Sequence, residues 1–265
     1  MTGKVFLIGA GPGDPELLTI KALRILQSAE AVVFDRLVSP EILALAPAHA
    51  RRFDVGKQPK CHPVPQQRIN ALLIDLAAQG LTVARLKGGD PLIFGRGSEE
   101  AAALAAAGVA VECVPGITAA QGTAASTGVP LTHRGLATGV RYVTGHRAAD
   151  RALDLDWASL ACEETTLVVY MGVANIAEIA ANLRHHGLPG SLPVMAVAQA
   201  TTPRERRLVS RLDRIAQDVA AADLRAPVLF VIGHVVSLYR DRPARPALSE
   251  PALLRPCDER RAANA

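Results

Sequence analysis

The chain has 265 residues, 49% of them hydrophobic and 20% charged, a balance that suits a folded globular protein and excludes disordered, collagen-like and coiled-coil chains. That length fits one large domain or two of about 120 residues each. Aromatic residues are only 3%, too few for a base-stacking platform, and residues 240–265 alone, with six Arg against four acids, supply +2 of the net charge of +4, so no nucleic-acid footprint is expected.

The uncharged run from Cys113 to Thr132 is interrupted by Pro, Gly, Gln, Ser and Thr, so no membrane span is expected. The N-terminus enters a strand pattern without the basic segment and apolar core of a signal peptide, which points to the cytoplasm. Cys61, Cys113, Cys162 and Cys257 stand far apart, without CxxC spacing or paired His, so neither a metal site nor a disulfide framework is expected.

Lys4 to Ile8 reads as a strand ending at Gly9, and the pattern Leu17, Leu18, Ala22, Ile25, Leu26 predicts a helix after it. Further strands are predicted at Ala31 to Phe34, Arg52 to Val55, Thr82 to Leu86 and Val109 to Val114, with helices at Pro65 to Gln79 and Glu99 to Ala107. A Gly/Thr/Ser/Ala-rich stretch from Gly116 to Gly135 then suggests a domain boundary. Beyond it, strands at Val140 to Thr144, Thr166 to Met171, Val194 to Ala198 and Val228 to Ile232 flank helices at Ala174 to His186 and Leu212 to Ala222. Alternating strands and helices imply α/β architecture with mostly parallel sheets. The expected organisation is an α/β domain over residues 1–118, a second over 119–239 and a solvated, disordered tail over 240–265.

Three strand exits carry the motifs. Gly9 to Pro15 reads GAGPGDP; it invites a dinucleotide reading, but Asp14 stands where the third Gly of GxGxxG belongs, and an acid beside a pyrophosphate is unfavourable. Lys87 to Pro91 reads KGGDP, followed by FGRGSEE from Phe94 to Glu100, where Ser98 would cap the next helix. Val114 to Ala120 reads VPGITAA. Glycines permit close backbone approach, and Asp without a phosphate partner suits a ligand with positive charge and hydroxyls. Arg36, Lys57, Arg96, Arg134 and His146 fall at strand exits or connecting loops, a pattern suited to gripping several carboxylates. Met171, at a strand end before Gly172, reads by itself as core filling.

In order, GAGPGDP, DRLV (Asp35 to Val38), VGK (Val55 to Lys57), RLKGGDP, FGRGSEE, VPGITAA, PLTHR, VTGH, VVYMG and APVLFVIGHVV resemble the uroporphyrinogen-III C-methyltransferases of the tetrapyrrole methylase superfamily, over residues 3 to about 238. The resemblance implies two α/β/α domains, a homodimer, and S-adenosylmethionine, released as S-adenosylhomocysteine, in the inter-domain cleft. It carries Pro12, Gly88, Gly89, Asp90, Thr118, Ala119, Met171, Ala200 and Pro227 to cofactor contacts. The implied substrate is uroporphyrinogen III, methylated at carbons 2 and 7 to precorrin-2, with Arg96, Glu99 and Arg134 at substrate-site positions and Lys57 and His146 beside them. A guanidinium stays protonated, so Arg96 is expected to clamp a carboxylate, held by Glu99, and Asp35 at its strand exit is the candidate base or positioning carboxylate. Ser98, Leu92 and Gln58 depart from the family's usual Gly, Phe and Arg. Alternatives are a methylase of a later corrin precursor, an NAD-dependent oxidoreductase and a non-catalytic binding protein.

Overall fold

The computed structural model describes residues 3–56, 64–147 and 153–241. Lys57, Gln58, Cys61, Cys257 and nearly all of the expected tail lie outside the described residues. Two compact units meet in the chain at Thr118 and Ala119.

The first unit begins with β1 (Lys4–Gly9), whose alternate residues serve two cores. Val5 and Leu7 pack on one face and Ile8 on the other. The helix expected around Leu17 to Leu26 is broken. Asp14 caps a 3-10 turn, Pro15–Leu17, and a new helix, α1 (Ile20–Gln27), starts where the Thr19 hydroxyl accepts from the Ala22 N–H at 3.1 Å. There follow β2 (Ala31–Phe34), a short α2 (Pro40–Leu43) capped by Ser39, and β3 (Arg51–Asp54). Then come α3 (Gln66–Ala78), β4 (Thr82–Lys87), α4 (Gly97–Ala106) and β5 (Ala110–Val114). The sheet order is β3-β2-β4-β1-β5, and every pairing is parallel. α1 and α2 cover one face through Leu26 and Ile42, and α3 and α4 the other through Leu73, Leu76 and Leu104.

The second unit opens on α5 (Ala119–Thr127), inside the stretch read as a boundary. Its small residues hide any amphipathic period, yet Ala120, Gly122, Thr123 and Thr127 are buried. β6 (Gly139–Thr144), α6 (Trp157–Leu160), β7 (Thr165–Tyr170) and α7 (Ile176–His185) follow. β8 (Pro193–Ala198), β9 (Arg206–Arg211), α8 (Ile215–Ala221) and β10 (Val228–Ile232) complete it. The order is β6-β7-β10-β8-β9, and this sheet departs from the mostly parallel expectation. Only β6 and β7 run parallel; β10 is antiparallel to β7 and β8, and β8 to β9. The cause is β9, which the sequence reading missed. A loop rather than a helix joins β8 to β9, so the chain reverses into a hairpin instead of crossing over. α7 and α8 cover one face around Phe230, Ile179 and Leu183; α5 and the 3-10 turn His234–Leu238 lie on the other.

At the carboxyl edge of the first sheet the backbone leaves no room for side chains. A Cβ on Gly9 would lie 2.4 Å from the Gly116 nitrogen, and one on Gly116 would lie 2.3 Å from the Gly89 carbonyl oxygen. Gly128, by contrast, faces open space with φ +73. Gly9→Ala is therefore expected to cost more than the 1–3 kcal/mol typical of overpacking, about 3 kcal/mol or above, and Gly128→Ala about 1–2 kcal/mol of left-handed backbone strain. Urea unfolding of the two variants against wild type checks that order.

Candidate functional site

Parallel sheets bind ligands outside the carboxyl ends of their strands, and in the first unit the exits of β1, β4 and β5 form one connected rim. Gly11 and Gly89 exchange backbone hydrogen bonds at 3.1 and 2.7 Å. Asp90 ties the next pair: its Oδ1 accepts from the Leu92 N–H at 2.8 Å and its Oδ2 from the Gly116 N–H at 3.0 Å. Asp14 likewise accepts from the Glu16 N–H at 2.9 Å. Pro12, Gly88 and Gly89 are half-buried on this rim and Thr118 is buried at its end. A Cβ on Gly88 would meet the Leu37 Cβ at 2.8 Å, so Gly88 lets the DRLV loop close against KGGDP. Residues 10–18, 88–95 and 115–118 contain no Lys or Arg. A phosphate would find no cation there; a sulfonium, an amine and ribose hydroxyls would find carbonyls and carboxylates. These residues fit S-adenosylmethionine.

The next turn carries strain. Phe94 and Arg96 have φ of 52 and 57, and the Gly97 N–H donates to the Pro91 carbonyl at 2.9 Å, which leaves no room for a Cβ at Gly97. Arg96, not Ser98, is the residue that precedes α4, so the expected Ser98 cap is not formed. From that fixed backbone Arg96 reaches Glu99 with two bonds, Nε to Oε1 at 2.8 Å and Nη2 to Oε2 at 2.7 Å. The hydrogen bond from Arg96 holds the Glu99 carboxyl below its usual value, and Glu99 raises the guanidinium in return. Both side chains are more than half exposed, so the pair can meet a ligand.

Beneath this rim the structure gathers residues that sequence reasoning missed as a group. Asp35 accepts from Arg85 Nη2 at 2.8 Å, and Arg85, Lys87 and Glu100 are buried behind it. Burial by itself would raise the Glu100 carboxyl; the charges of Arg85 and Lys87 and the bonds they donate outweigh it, so the net shift is downward. The sequence signal was available: Arg85 and Lys87 alternate with Ala84 and Leu86 inside a strand that must be covered on both faces.

In the second unit, Arg134 occupies the tip of a tight turn in which the His133 N–H donates to the Ala137 carbonyl at 3.0 Å. Arg134 is exposed and, among the described residues, forms no ion pair. His146 is exposed after β6, its backbone N–H donating to the Thr144 hydroxyl at 3.1 Å. Met171 is not core filling: it is 50% exposed with φ 55, because Gly172 behind it packs against Val169 and Phe230 and turns the chain. Ala200 is buried between two left-handed residues, Gln199 and Thr201, and the Pro227 carbonyl accepts from the Gln199 N–H at 3.1 Å. The Tyr170 hydroxyl accepts from the Ala120 N–H at 3.2 Å, tying the residue before Met171 to the turn of α5 that holds Ala119.

Among the described residues no three His, Cys, Asp or Glu side chains are grouped to hold a metal, Cys113 and Cys162 are free thiols, and no helix is long and apolar enough to cross a membrane.

Residues 4–216 match the family of tetrapyrrole (corrin/porphyrin) methylases. The chain is 64% identical over 239 residues to a uroporphyrinogen-III C-methyltransferase of Paracoccus denitrificans, covering 90% of this chain and 83% of that protein. It is 51% identical to a siroheme synthase of Methylococcus capsulatus and spans 50% of that longer protein's length. Among solved structures, the Thermus thermophilus uroporphyrin-III C-methyltransferase complexed with S-adenosylhomocysteine superposes with a TM-score of 0.77 at 43% identity, covering 89% of this chain and all of that one. A cobalt precorrin-4 methyltransferase superposes with a TM-score of 0.79 at 25% identity, covering 88% of this chain and 95% of that one.

Acid sensitivity follows from the ion pairs. Outside the rim, Lys21 and then Lys4 bind Glu112 and lower its carboxyl from 4.5 to about 2. A carboxyl depressed in the folded state stabilises the fold above its unfolded value and loses that contribution as pH falls through the folded one. The melting temperature of the wild type is expected to fall between about pH 4.5 and pH 2, in the window set by Glu112. Glu112→Gln should flatten that slope in thermal melts, and added salt should shrink the difference.

Proposed function

The chain belongs to the tetrapyrrole (corrin/porphyrin) methylases, and from that premise we propose that it is an S-adenosylmethionine-dependent C-methyltransferase converting uroporphyrinogen III to precorrin-2, working as a cytoplasmic homodimer. One observation carries the reading: the rim residues 10–18, 88–95 and 115–118 include no Lys or Arg while Asp14 and Asp90 stand among them. The 64% identity to a uroporphyrinogen-III C-methyltransferase supports the substrate.

Pro12, Gly88, Gly89, Asp90 and Thr118 of the first unit, and Ala119, Met171, Ala200 and Pro227 of the second, are assigned to the cofactor. When bound, S-adenosylmethionine supplies an electrophilic methyl group on a cationic sulfonium. The protein's share is orientation, because an in-line transfer to a pyrrole carbon gains most of its rate from fixed geometry. Arg96 is assigned to a substrate carboxylate. Its guanidinium cannot act as a base at any working pH, and Glu99 holds its fork in one plane. Arg134 and His146, exposed on their loops, are assigned to further carboxylates, as is Lys57. Asp35 is assigned as the base or substrate-positioning carboxylate, a reading supported by its side chain, 30% exposed at the exit of β2.

A second reading, methylation of a later corrin precursor, draws on the likeness to the cobalt precorrin-4 methyltransferase. An anaerobic assay with uroporphyrinogen III separates the two: a product heavier by two methyl groups is expected, and calorimetric binding of S-adenosylmethionine without any transfer would favour the later precursor. Arg96→Ala should raise KM for the porphyrinogen about 10–100-fold while leaving cofactor affinity within about threefold, the pattern of a lost substrate contact. Asp35→Asn should slow single-turnover methylation, and an unchanged rate would remove Asp35 from the chemistry. Sedimentation at assay concentration tests the dimer.

A further inference from the structure

Four charged side chains converge under the carboxyl edge of the first sheet, and three of them have no part in the assignments above. Arg85 and Lys87 are two apart on β4 and share the face covered by α3 and α4. Glu100 comes down from the first turn of α4. Arg85 is 1% exposed, Lys87 3% and Glu100 0%.

Arg85 is held at every nitrogen. Nε donates to Glu100 Oε2 at 3.3 Å, Nη2 to Glu100 Oε1 at 3.1 Å, and Nη1 to the Leu86 carbonyl at 3.1 Å. Glu100 Oε1 also accepts from Lys87 Nζ at 2.8 Å and from Gln66 Nε2 at 3.1 Å. The guanidinium therefore cannot swing, and the bond it has left goes from Nη2 to Asp35 Oδ1 at 2.8 Å. Asp35 Oδ2 stands 3.8 Å from Lys87 Nζ, beyond hydrogen-bond reach, and the Asp35 side chain, 30% exposed, is the least buried of the four.

Stability does not account for this arrangement. Buried ion clusters are commonly no more stable than apolar side chains of the same volume. Position 85 lies on the face of Val5, Leu7, Val33 and Val83, where a leucine or methionine would pack. The cluster does what an apolar residue could not: it fixes one oxygen of the Asp35 carboxylate from the buried side while the side chain stays 30% exposed.

We propose that Arg85, braced by Glu100, is a positioning residue that orients the Asp35 carboxylate for the methyl-transfer reaction. This rests on the functional reading of Asp35 given above. Misplacing such a group by about 1 Å can cost on the order of 100-fold in rate.

A double-mutant cycle on Arg85→Met and Asp35→Asn, read by single-turnover methylation of uroporphyrinogen III and by calorimetric S-adenosylmethionine binding, tests it. Each single variant is expected to lower the rate about 10–100-fold with KM and cofactor affinity changed less than about threefold, and the double variant to be no slower than Asp35→Asn alone, the mark of two residues acting as one unit. Arg85→Lys, which keeps a charge but loses the fork, should recover part of the rate. If Arg85→Met does not fold, Glu100→Gln carries the same test, because it loosens the guanidinium without changing volume. Multiplying losses in the double variant, or a wild-type rate for Arg85→Met, would overturn the inference while leaving the functional reading in place. A wild type that transfers no methyl group to uroporphyrinogen III would overturn both.

Discussion

Three glycines, Gly9, Gly89 and Gly116, bring the exits of β1, β4 and β5 into backbone contact, and the first unit's chemistry depends on that closeness. With Cβ atoms excluded at about 2.3–2.7 Å at Gly9 and Gly116, both against the Gly89 carbonyl among others, the loops touch there as bare backbone. Asp90 then fastens the β4 exit to the β5 exit through the Gly116 N–H. The sequence consequence is a GAGPGDP loop that looks like a dinucleotide motif and is not one. Gly9 and Gly11 serve loop-to-loop packing, and its one acid, Asp14, accepts from the Glu16 N–H where a phosphate-binding turn needs such N–H groups free.

Backbone strain marks the same regions. Of the six left-handed non-glycine residues among those described, Phe94, Arg96, Met171, Gln199 and Thr201 lie in loops that follow β4, β7 or β8, and Asp223 lies after α8. Such conformations cost about 1–3 kcal/mol each and persist where the surroundings overdetermine them. For Arg96 the surroundings are the Gly97-to-Pro91 hydrogen bond and the glycines at 95 and 97, each too close to the Pro91 carbonyl to carry a Cβ. For Met171 they are Gly172 and the Gly145 loop that packs on it. Arg96 is thereby aimed before it binds anything, which reduces the ordering cost of gripping a carboxylate.

Much of the fold was legible because parallel strands buried on both faces read as short apolar runs, as at Ala31–Phe34 and Val228–Ile232. What escaped had a physical cause in each case. β9, with Arg206, Arg207 and Arg211, is an edge strand whose long basic side chains hide its alternation, and missing it made the second sheet look parallel. α5 is built of residues too small to show a stripe. The break before Ile20 was written in Thr19, a capping residue inside an apolar pattern. At the site, the loops announced themselves through Gly and Asp, but exposure did not: nothing in the string VVYMG says that Met171 turns outward. The strand TVARLK carried the signal that Arg85 and Lys87 are buried but not what neutralises them, since the acids come from β2's exit and from α4.

The distribution of ion pairs separates cations that hold the fold from those free to hold a ligand. In the second unit Arg207, Arg211, Arg214 and Arg225 each pair with an acid two to four positions away, and Arg206 donates to the Ala222 and Asp223 carbonyls just after α8, so these local pairs absorb most of the basic charge of β9 and its surroundings. Arg134 differs from them. It stands on a turn closed by backbone bonds, has no acid within reach among the described residues, and follows a proline-stiffened segment. In the first unit the contrast is between Arg85, bonded at every nitrogen in the core, and Arg96, paired only with an exposed Glu99. A carboxylate-rich substrate can compete for an exposed, singly paired guanidinium because solvent already weakens that pair. It cannot compete for Arg85, whose partners share its burial. The same residue type thus stands at two depths of one sheet edge, exposed and singly paired at the surface and bonded at every nitrogen beneath it.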